Sequence, residues 1–312
     1  MGTPEFSVPS LEQLIRDGHE VAAVFTQPDK PAGRGKHLHA PPVKTLALEH
    51  GMPVHQPAKI KTNDEVRAIF ESIAPDACVV VAYGKILPAW MLAIPRLGCI
   101  NVHASLLPKY RGAAPINWAI ANGERETGVT IMQMDAGMDT GPMLTQRAIP
   151  IGPEETAPEL SARLAHLGAE LLSETLPRIE RGELTPQNQD DGEATYAPML
   201  TREDGLIDWS ITAHEIANRL RAFQPWPGTY TSFRAERLMI RRGHQGPSRE
   251  SPDLSAEPGA ILNIDDNGIA VVCGNLSVLL ILELQLEGRR RVSAREFANG
   301  ARLKRGDRIN QQ

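Results

Sequence analysis

Residues 76–82 are the segment that most constrains the fold of this chain. The segment is nearly all apolar and rich in β-branched side chains, which is typical of a strand buried on both faces of a sheet. Up to residue 181, further strand-like runs alternate with segments of helical periodicity. This alternation predicts an α/β fold in which helices cover a Rossmann-like parallel sheet.

The predicted elements follow one another at short intervals. Strands are expected over residues 21–26, 52–55, 76–82, 98–102, 128–134 and 143–148, and helices over 9–16, 43–50, 63–72, 114–121 and 156–181. The last two strands are expected to pair as a hairpin. In the last helix, leucines recur at steps of four, three and four, from Leu160 to Leu171, so this helix is expected to cover the sheet.

The character of the sequence changes after residue 181. Residues 182–203 include a polar, acidic stretch rich in Gly, Gln and Asn, which predicts a linker after a first domain of residues 1–181. Beyond it, one helix precedes about five short strands, and Asp266-Asn267-Gly268 predicts a hairpin turn. We expect residues 204–312 to form a small β-barrel of the oligonucleotide-binding (OB-like) type, although a small sandwich fits the same pattern.

Charge and composition narrow the function classes. The formal net charge is -5, yet basic residues cluster at 30–36 and beyond 289, where an anion the size of an RNA would find positive charge. No apolar run is long enough to span a bilayer and no signal peptide is recognisable, so we predict a cytoplasmic protein without a membrane partner. The three cysteines are widely spaced, which predicts buried thiols and neither a disulfide nor a metal site.

Polar residues mark the end of the predicted strand at 98–102. Asn101 and His103 are two residues apart, so their side chains point to the same face and can converge on one carbonyl. The loop from Asp135 to Asp139 contains Gly and can bend back over this strand end. A carboxylate there would favour protonated His103 and fix its tautomer, and Asn101 would hold a developing oxyanion. This constellation suits acyl-type transfer, whereas an isolated Asn-x-His more often caps a loop.

Two other enzyme classes share some of these features. A serine hydrolase would use Ser105 as nucleophile, but no Gly-x-Ser-x-Gly turn surrounds it. A dinucleotide oxidoreductase would have a similar layered fold, but the Gly-x-Gly-x-x-Gly fingerprint is missing, and the glycines at 33 and 35 stand in a loop without strand-to-helix context.

The sequence resembles the 10-formyltetrahydrofolate-dependent formyltransferases, and among them the members that act on tRNA. The resemblance rests on residues 2–6, 26–36, 80–88, 98–115, 128–141, 208–210 and 225–227. The Asn-x-His with a distant Asp-x-Gly-x-Asp-x-Gly is typical of the wider superfamily. The basic loop and the trailing barrel-like domain are typical of the tRNA enzymes.

The resemblance implies transfer of a formyl group from 10-formyltetrahydrofolate, a co-substrate, to the amino group of methionyl-initiator tRNA, in support of translation initiation. It implies a monomer without a metal. The residues implied as catalytic are Asn101, His103 and Asp139; those implied to bind the folate are Gly84, Lys85, Ile86, Leu87, Ser105, Leu106, Leu107 and Pro108; those implied to bind tRNA are Lys30, Arg34 and Lys36.

Other functions stay open at this point. The same trio would serve a formyltransferase acting on another amine, such as a sugar nucleotide or glycinamide ribotide, and a noncatalytic RNA-binding module is a third class. One departure from the family concerns the start of the chain, because the family has a short hydrophobic strand before Gly-Thr-Pro and here Met1 directly precedes Gly2. We expect the native protein to be several residues longer, and its first domain to be destabilised without that strand.

Overall fold

The computed structural model describes residues 1–32, 37–246 and 257–309. Within these ranges, no helix is long and apolar enough to cross a membrane. The helices are α1 (Val8–Arg16), α2 (Pro42–Glu49), α3 (Asp64–Ile73), α4 (Ala89–Ala93), α5 (Pro115–Ala121), α6 (Ala157–Glu180), α7 (Ala213–Ala222) and α8 (Ala294–Ala301). The strands are β1 (Val24–Phe25), β2 (Lys30–Ala32), β3 (His37–His39), β4 (Val54–His55), β5 (Cys78–Val80), β6 (Cys99–His103), β7 (Arg111–Gly112), β8 (Glu126–Gln133), β9 (Met143–Pro150), β10 (Tyr196–Ala197), β11 (Thr229–Phe233), β12 (Glu236–Gln245), β13 (Ile261–Asp265), β14 (Gly268–Val272), β15 (Val278–Leu286) and β16 (Val292–Ser293).

The chain divides into two compact units. Unit 1 comprises Met1–Ile116, Glu126–Ile151 and Glu159–Pro198. Unit 2 comprises Asn117–Arg125, Gly152–Pro158 and Met199–Gln312. Residues 182–198, which form most of the predicted linker, therefore belong to unit 1 and can take part in its packing.

The main sheet of unit 1 has the strand order β5-β6-β8-β9. Strands β5 and β6 are parallel, but β8 runs antiparallel to both β6 and β9. The α/β, Rossmann-like class is thus confirmed, and so is the predicted pairing of β8 with β9. The expected parallel direction holds for β5 and β6 but was wrong for β8, which runs antiparallel to β6. An apolar run indicates that a strand is buried but not in which direction it runs, so the sequence pattern did not distinguish a mixed sheet from a parallel one.

Helix α6 covers this sheet, as predicted. Leu160, Leu164 and Leu172 on its apolar side are completely buried. At Gly168 the helix comes so close to β6 that an added Cβ would lie 2.7 Å from Cγ1 of Val102. The face of β6 that carries Val102 is therefore filled by the helix, and the opposite face is left for other contacts.

Residues Met1 and Gly2 lie between β1 and β5. The Met1 nitrogen donates to the carbonyl of Val79 (2.7 Å), the Val81 N–H donates to the carbonyl of Met1 (2.8 Å), and the Gly2 N–H donates to the carbonyl of Phe25 (3.0 Å). A cavity of about 420 Å³, lined in part by β1 and β5, adjoins these two residues. The expectation of a further strand before Gly2 stays a prediction.

Unit 2 contains an antiparallel sheet of order β11-β12-β15-β14-β13, with β16 also paired to β15. Its core includes Trp209, Ile216, Leu238, Leu279 and Phe297. The predicted hairpin is confirmed, because Asp265 pairs with Gly268 across the turn. No strand pairing in the described part of unit 2 joins β13 to β11, so the predicted closed OB-like barrel is not confirmed.

Candidate active site at the end of strand β6

Strand β6 brings Asn101 and His103 to one face of the main sheet. The two residues alternate with Val102, whose side chain faces α6, so their own side chains point to the other face. Both are nearly buried, with exposed fractions of 9% for Asn101 and 6% for His103. The period of two in the strand predicted this arrangement correctly.

The loop between β8 and β9 folds back over this strand end. Asp135 shapes the loop by accepting hydrogen bonds from the N–H of Gly137 (3.0 Å) and from Oγ1 of Thr140 (2.8 Å). At Gly141 an added Cβ would lie 1.9 Å from the carbonyl oxygen of Gln133, so only glycine fits there. The loop thereby carries the next carboxylate, that of Asp139, towards β6.

Asp139 meets the two β6 side chains. Nδ2 of Asn101 donates to Oδ1 of Asp139 (3.4 Å), and Nδ1 of His103 lies 3.7 Å from Oδ2. The N–H of Gly112 donates to the same Oδ2 at 2.9 Å. On its other side the His103 ring donates from Nε2 to the carbonyl of Tyr110 (3.0 Å), and a carbonyl only accepts, so Nε2 carries a hydrogen. The structure thus brings together the three residues that the sequence analysis grouped.

Ser105 does not have the surroundings of a nucleophile. It is completely buried, and its hydroxyl donates to the carbonyl of Lys109 at 2.6 Å. Leu107 is also buried, whereas Leu106 and Pro108 are half-buried. The hydroxyl of Ser105 therefore stabilises the turn after β6, and this contact counts against the hydrolase alternative.

The segment Gly84 to Leu87 combines exposed and buried residues. Gly84 has a φ of +74°, a left-handed conformation that favours glycine. Nζ of Lys85 donates to the carbonyl of Ala58 at 2.8 Å, which holds this side chain back against the neighbouring loop. Ile86 is 89% exposed, while Leu87 is buried in the apolar core that lies under β5 and β6. Of the four, Ile86 is the apolar side chain available to a ligand.

The predicted tRNA loop begins as a short hairpin. The basic residues at 30–36 were expected to lie in a loop, but β2 pairs antiparallel with β3, and Lys30 is exposed on β2. Arg34 and Lys36 lie outside the described residues. Burial, followed by the charge of Lys30, lowers the pKa of Lys85, which indicates that the two lysines are near enough to repel each other.

The start of this hairpin is anchored by Asp29. Its carboxylate accepts hydrogen bonds from Nε2 of Gln56 (2.7 Å) and Nζ of Lys44 (2.8 Å). These two hydrogen bonds lower the pKa of Asp29. The negative charge of Asp29 is thus paired with Lys44. Asp29 therefore does not compensate the positive charge of Lys30.

Two groups of basic residues in unit 2 differ in their surroundings. The first group pairs with acidic neighbours: Arg289 with Glu236, Arg290 with Glu296, Arg291 with Glu283, Arg295 with Asp266 and Arg308 with Glu257. In the second group, Arg237 lies over the ring of Tyr230 (3.6 Å to the ring centroid), and Arg241 lies four residues further along the same face of β12. Burial, and then repulsion by Arg291 and Arg237, lowers the pKa of Arg241, so positive charges are concentrated on this face.

Two residues that the sequence analysis did not single out as site residues support the Asp139 loop. Arg111 is 2% exposed, and its Nε donates to Oε1 of Gln189 at 3.0 Å. Gln189 in turn donates to backbone carbonyls of the loop. No local pattern marks Gln189, since it lies 50 residues beyond Asp139 in a polar segment.

Comparison with known proteins gives consistent relatives along the whole chain. The formyl transferase family model matches residues 1–176, and that of the formyl transferase C-terminal domain matches residues 199–302. A methionyl-tRNA formyltransferase of Geobacter sulfurreducens is 52% identical over 315 residues, which cover 100% of this chain and 96% of the relative. Another from Koribacter versatilis is 53% identical over 308 residues, which cover 99% and 96% of the two chains.

A solved structure shares the fold at lower identity. The sugar 3N-formyl transferase WlaRD, in the presence of dTDP and 5-N-formyl-THF, aligns with a TM-score of 0.64 and 18% identity over 93% of this chain and 97% of that chain. Because both family models and the full-length relatives agree, this chain belongs to the formyl transferase family.

Proposed function

We propose that this chain transfers a formyl group from 10-formyltetrahydrofolate to the α-amino group of methionyl-initiator tRNA, and so supports translation initiation. The observation that carries the proposal is the convergence of Asn101, His103 and Asp139 at the end of β6. Relatives about half identical over the full chain are named methionyl-tRNA formyltransferases, which supports this acceptor.

The chemistry needs an oxyanion site and a proton path. The neutral amino group attacks the formyl carbon, a C–N bond forms, and the carbonyl oxygen becomes an oxyanion. Nδ2 of Asn101 lies 3.4 Å from Oδ1 of Asp139 and Nδ1 of His103 lies 3.7 Å from Oδ2, so the two nitrogens are neighbours, and in this proposal both donate to the oxyanion. The amine then loses a proton, the bond to folate N10 breaks, and N10 gains a proton, which releases tetrahydrofolate and formylmethionyl-tRNA. Asp139 orients His103 in this proposal.

The folate would lie against the segments that flank this trio. Ile86, Leu106 and Pro108 retain exposed apolar surface, which fits the flat ring system of a pterin. Ser105, Leu87 and Leu107 are buried, so in this proposal they shape the site from behind. Gly84 and Lys85 give the segment its turn and hold it against the neighbouring loop.

The tRNA would contact the basic hairpin and unit 2. Lys30, together with Arg34 and Lys36, would meet phosphates near the acceptor end, since flexible basic side chains adapt to a phosphate backbone. On unit 2 we favour the face of Arg237 and Arg241, because Tyr230 adds an aromatic ring to a positive surface. In this proposal residues 204–312 form the tRNA-binding domain, with an OB-like barrel as its expected form, and the enzyme acts as a cytoplasmic monomer.

The test is a formyl-transfer assay with 10-formyltetrahydrofolate as donor. Methionylated initiator tRNA, methionylated elongator tRNA and free amines, including an amino sugar nucleotide, are offered in parallel. Transfer selective for the initiator tRNA supports the proposal. Transfer to a free amine in place of tRNA would reassign the acceptor, and binding of folate without any transfer would contradict a formyltransferase.

A further inference from the structure

Gln189 holds the backbone of the loop that carries Asp139. Its Nε2 donates to the carbonyl oxygens of Asp139 and Gly141, each at 2.8 Å. Asp139 has a φ of +55°, in the left-handed region that residues other than glycine rarely adopt. Such a conformation persists only where surrounding contacts hold it, and one amide here bonds both sides of the turn.

Arg111 fixes the orientation of this amide. Its Nε donates to Oε1 of Gln189 at 3.0 Å, and a guanidinium has donors only, so the amide oxygen must face it. The amide NH2 of Gln189 then faces the two loop carbonyls. Arg111 is 2% exposed and its charge is matched by Asp191, with Nη2 2.8 Å from Oδ1. If the amide were rotated by half a turn, its NH2 would face the guanidinium of Arg111 and its oxygen would face the two loop carbonyls, so these hydrogen bonds could not form.

A second contact fixes the Asp139 side chain relative to the same segment. The N–H of Gly112, the residue after Arg111, donates to Oδ2 of Asp139 at 2.9 Å. Strand β7 itself is held by pairing with β10, and the Arg111 N–H donates to the carbonyl of Thr195 at 2.9 Å. Contacts from β7 therefore hold both parts of Asp139. Arg111 holds its backbone through Gln189, and Gly112 binds its carboxylate directly.

We propose that Gln189, oriented by Arg111, is a positioning residue of the formyl transfer. This inference rests on the proposed function. Gln189 acts through Asp139: it sets the backbone from which the carboxylate reaches Asn101 and His103, and it does not itself take part in the chemistry. Residues 182–198 of unit 1 would then contribute to catalysis through Gln189.

The direct test is Gln189→Glu, which keeps the shape of the side chain and the acceptor for Arg111. It replaces the NH2 with a carboxylate oxygen facing two carbonyls, so the loop must move. We expect kcat to fall about a hundredfold, as for small misplacements of catalytic groups, with an unchanged Kd for folate and a shifted pH profile of kcat/KM. Gln187→Glu is the matched control, because that side chain is exposed and its bonds to Met143 are made by the backbone.

A second readout does not need activity. The ring ¹⁵N resonances of His103 report its tautomer and the hydrogen bonding of its two nitrogens, so they should shift in Gln189→Glu and not in Gln187→Glu. Gln189→Ala, which removes the donors without adding a charge, serves if Gln189→Glu does not fold. Unchanged kcat and unchanged His103 resonances would overturn the inference, as would a loss shared by Gln187→Glu. If the unaltered chain formylates no aminoacyl-tRNA, the proposed function fails, while the resonances still test the positioning.

Discussion

Nδ1 of His103 lies 3.7 Å from Oδ2 of Asp139, while Nε2 of the same ring donates to the carbonyl of Tyr110. Because Nε2 already carries a hydrogen, a second proton on the ring resides on Nδ1 and faces the carboxylate. The separation exceeds a direct hydrogen bond, which leaves Nδ1–H free to reach a substrate oxygen. This geometry places one ring nitrogen of His103 beside Asp139 and leaves it able to donate to an oxyanion.

Asn101→Ala should lower turnover without abolishing folate binding. Its Nδ2 is the neutral donor of the proposed oxyanion site, and loss of one such donor costs about a hundredfold to a thousandfold in kcat. Steady-state formyl transfer and equilibrium folate binding are the two measurements. A large loss of folate affinity with unchanged kcat would show that Asn101 binds the co-substrate and does not stabilise the transition state.

Gly141→Ala should destabilise the protein and reduce activity together. The added Cβ would meet the carbonyl oxygen of Gln133 at 1.9 Å, so the backbone of the Asp139 loop must shift. We expect a loss of about 1–3 kcal/mol in the free energy of unfolding, measured with urea. Gly300→Ala, in α8, is the control, because nothing lies within 4 Å of its added Cβ. Equal stability of the two variants would show that the loop tolerates the methyl group.

Arg34→Ala should weaken the use of tRNA and spare the folate. If Arg34 contacts a phosphate, its removal raises KM for methionyl-tRNA and reduces the slope of log K against log salt by about one. Arg67→Ala, an exposed arginine paired with Glu71 on α3, is the matched control. An unaltered salt dependence would exclude Arg34 from the tRNA contact.

The stability of a chain that begins at Met1 should depend on pH near neutrality. Burial lowers the pKa of the Met1 amino group from its usual value of 8.0, so the folded state favours the neutral amine. Below pH 8.0 the unfolded chain binds the proton more readily than the folded chain. The free energy of unfolding therefore falls as the pH drops from 8.0 towards the pKa of the folded state. Above pH 8.0 this group no longer makes the free energy of unfolding depend on pH. Urea unfolding of the free and the N-acetylated chain, at several pH values, measures this. An identical pH dependence in both chains would contradict it.

Sequence patterns predicted those parts of the site that depend on short-range geometry. Asn101 and His103 share a face because a strand repeats every two residues, and Asp139 stands in a loop whose composition allows it to fold back. Gln189 was not predictable in this way, because its contact with Asp139 joins segments far apart in the chain and depends on how the end of unit 1 packs.

In the fold, too, short-range patterns were predictable from the sequence and long-range pairings were not. The apolar runs and the leucine period located the strands and α6 within a few residues. Strand direction has no such signal, which is why β8 was placed in a parallel sheet, and the closure of the unit 2 sheet depends on pairings that alternation alone does not specify. The burial of Ser105 likewise followed from the turn to Lys109, which its sequence surroundings did not reveal.

We propose that Asn101 and Asp139 act as one unit in formyl transfer to methionyl-initiator tRNA. The most direct measurement is the single-turnover rate of that transfer, with both substrates saturating, for the unaltered chain, Asn101→Ala, Asp139→Asn and the double variant. We expect rapid transfer by the unaltered chain, a large loss in each single variant, and a double variant little slower than the slower single one, because residues that act together are not additive. Single variants as fast as the unaltered chain would contradict the claim.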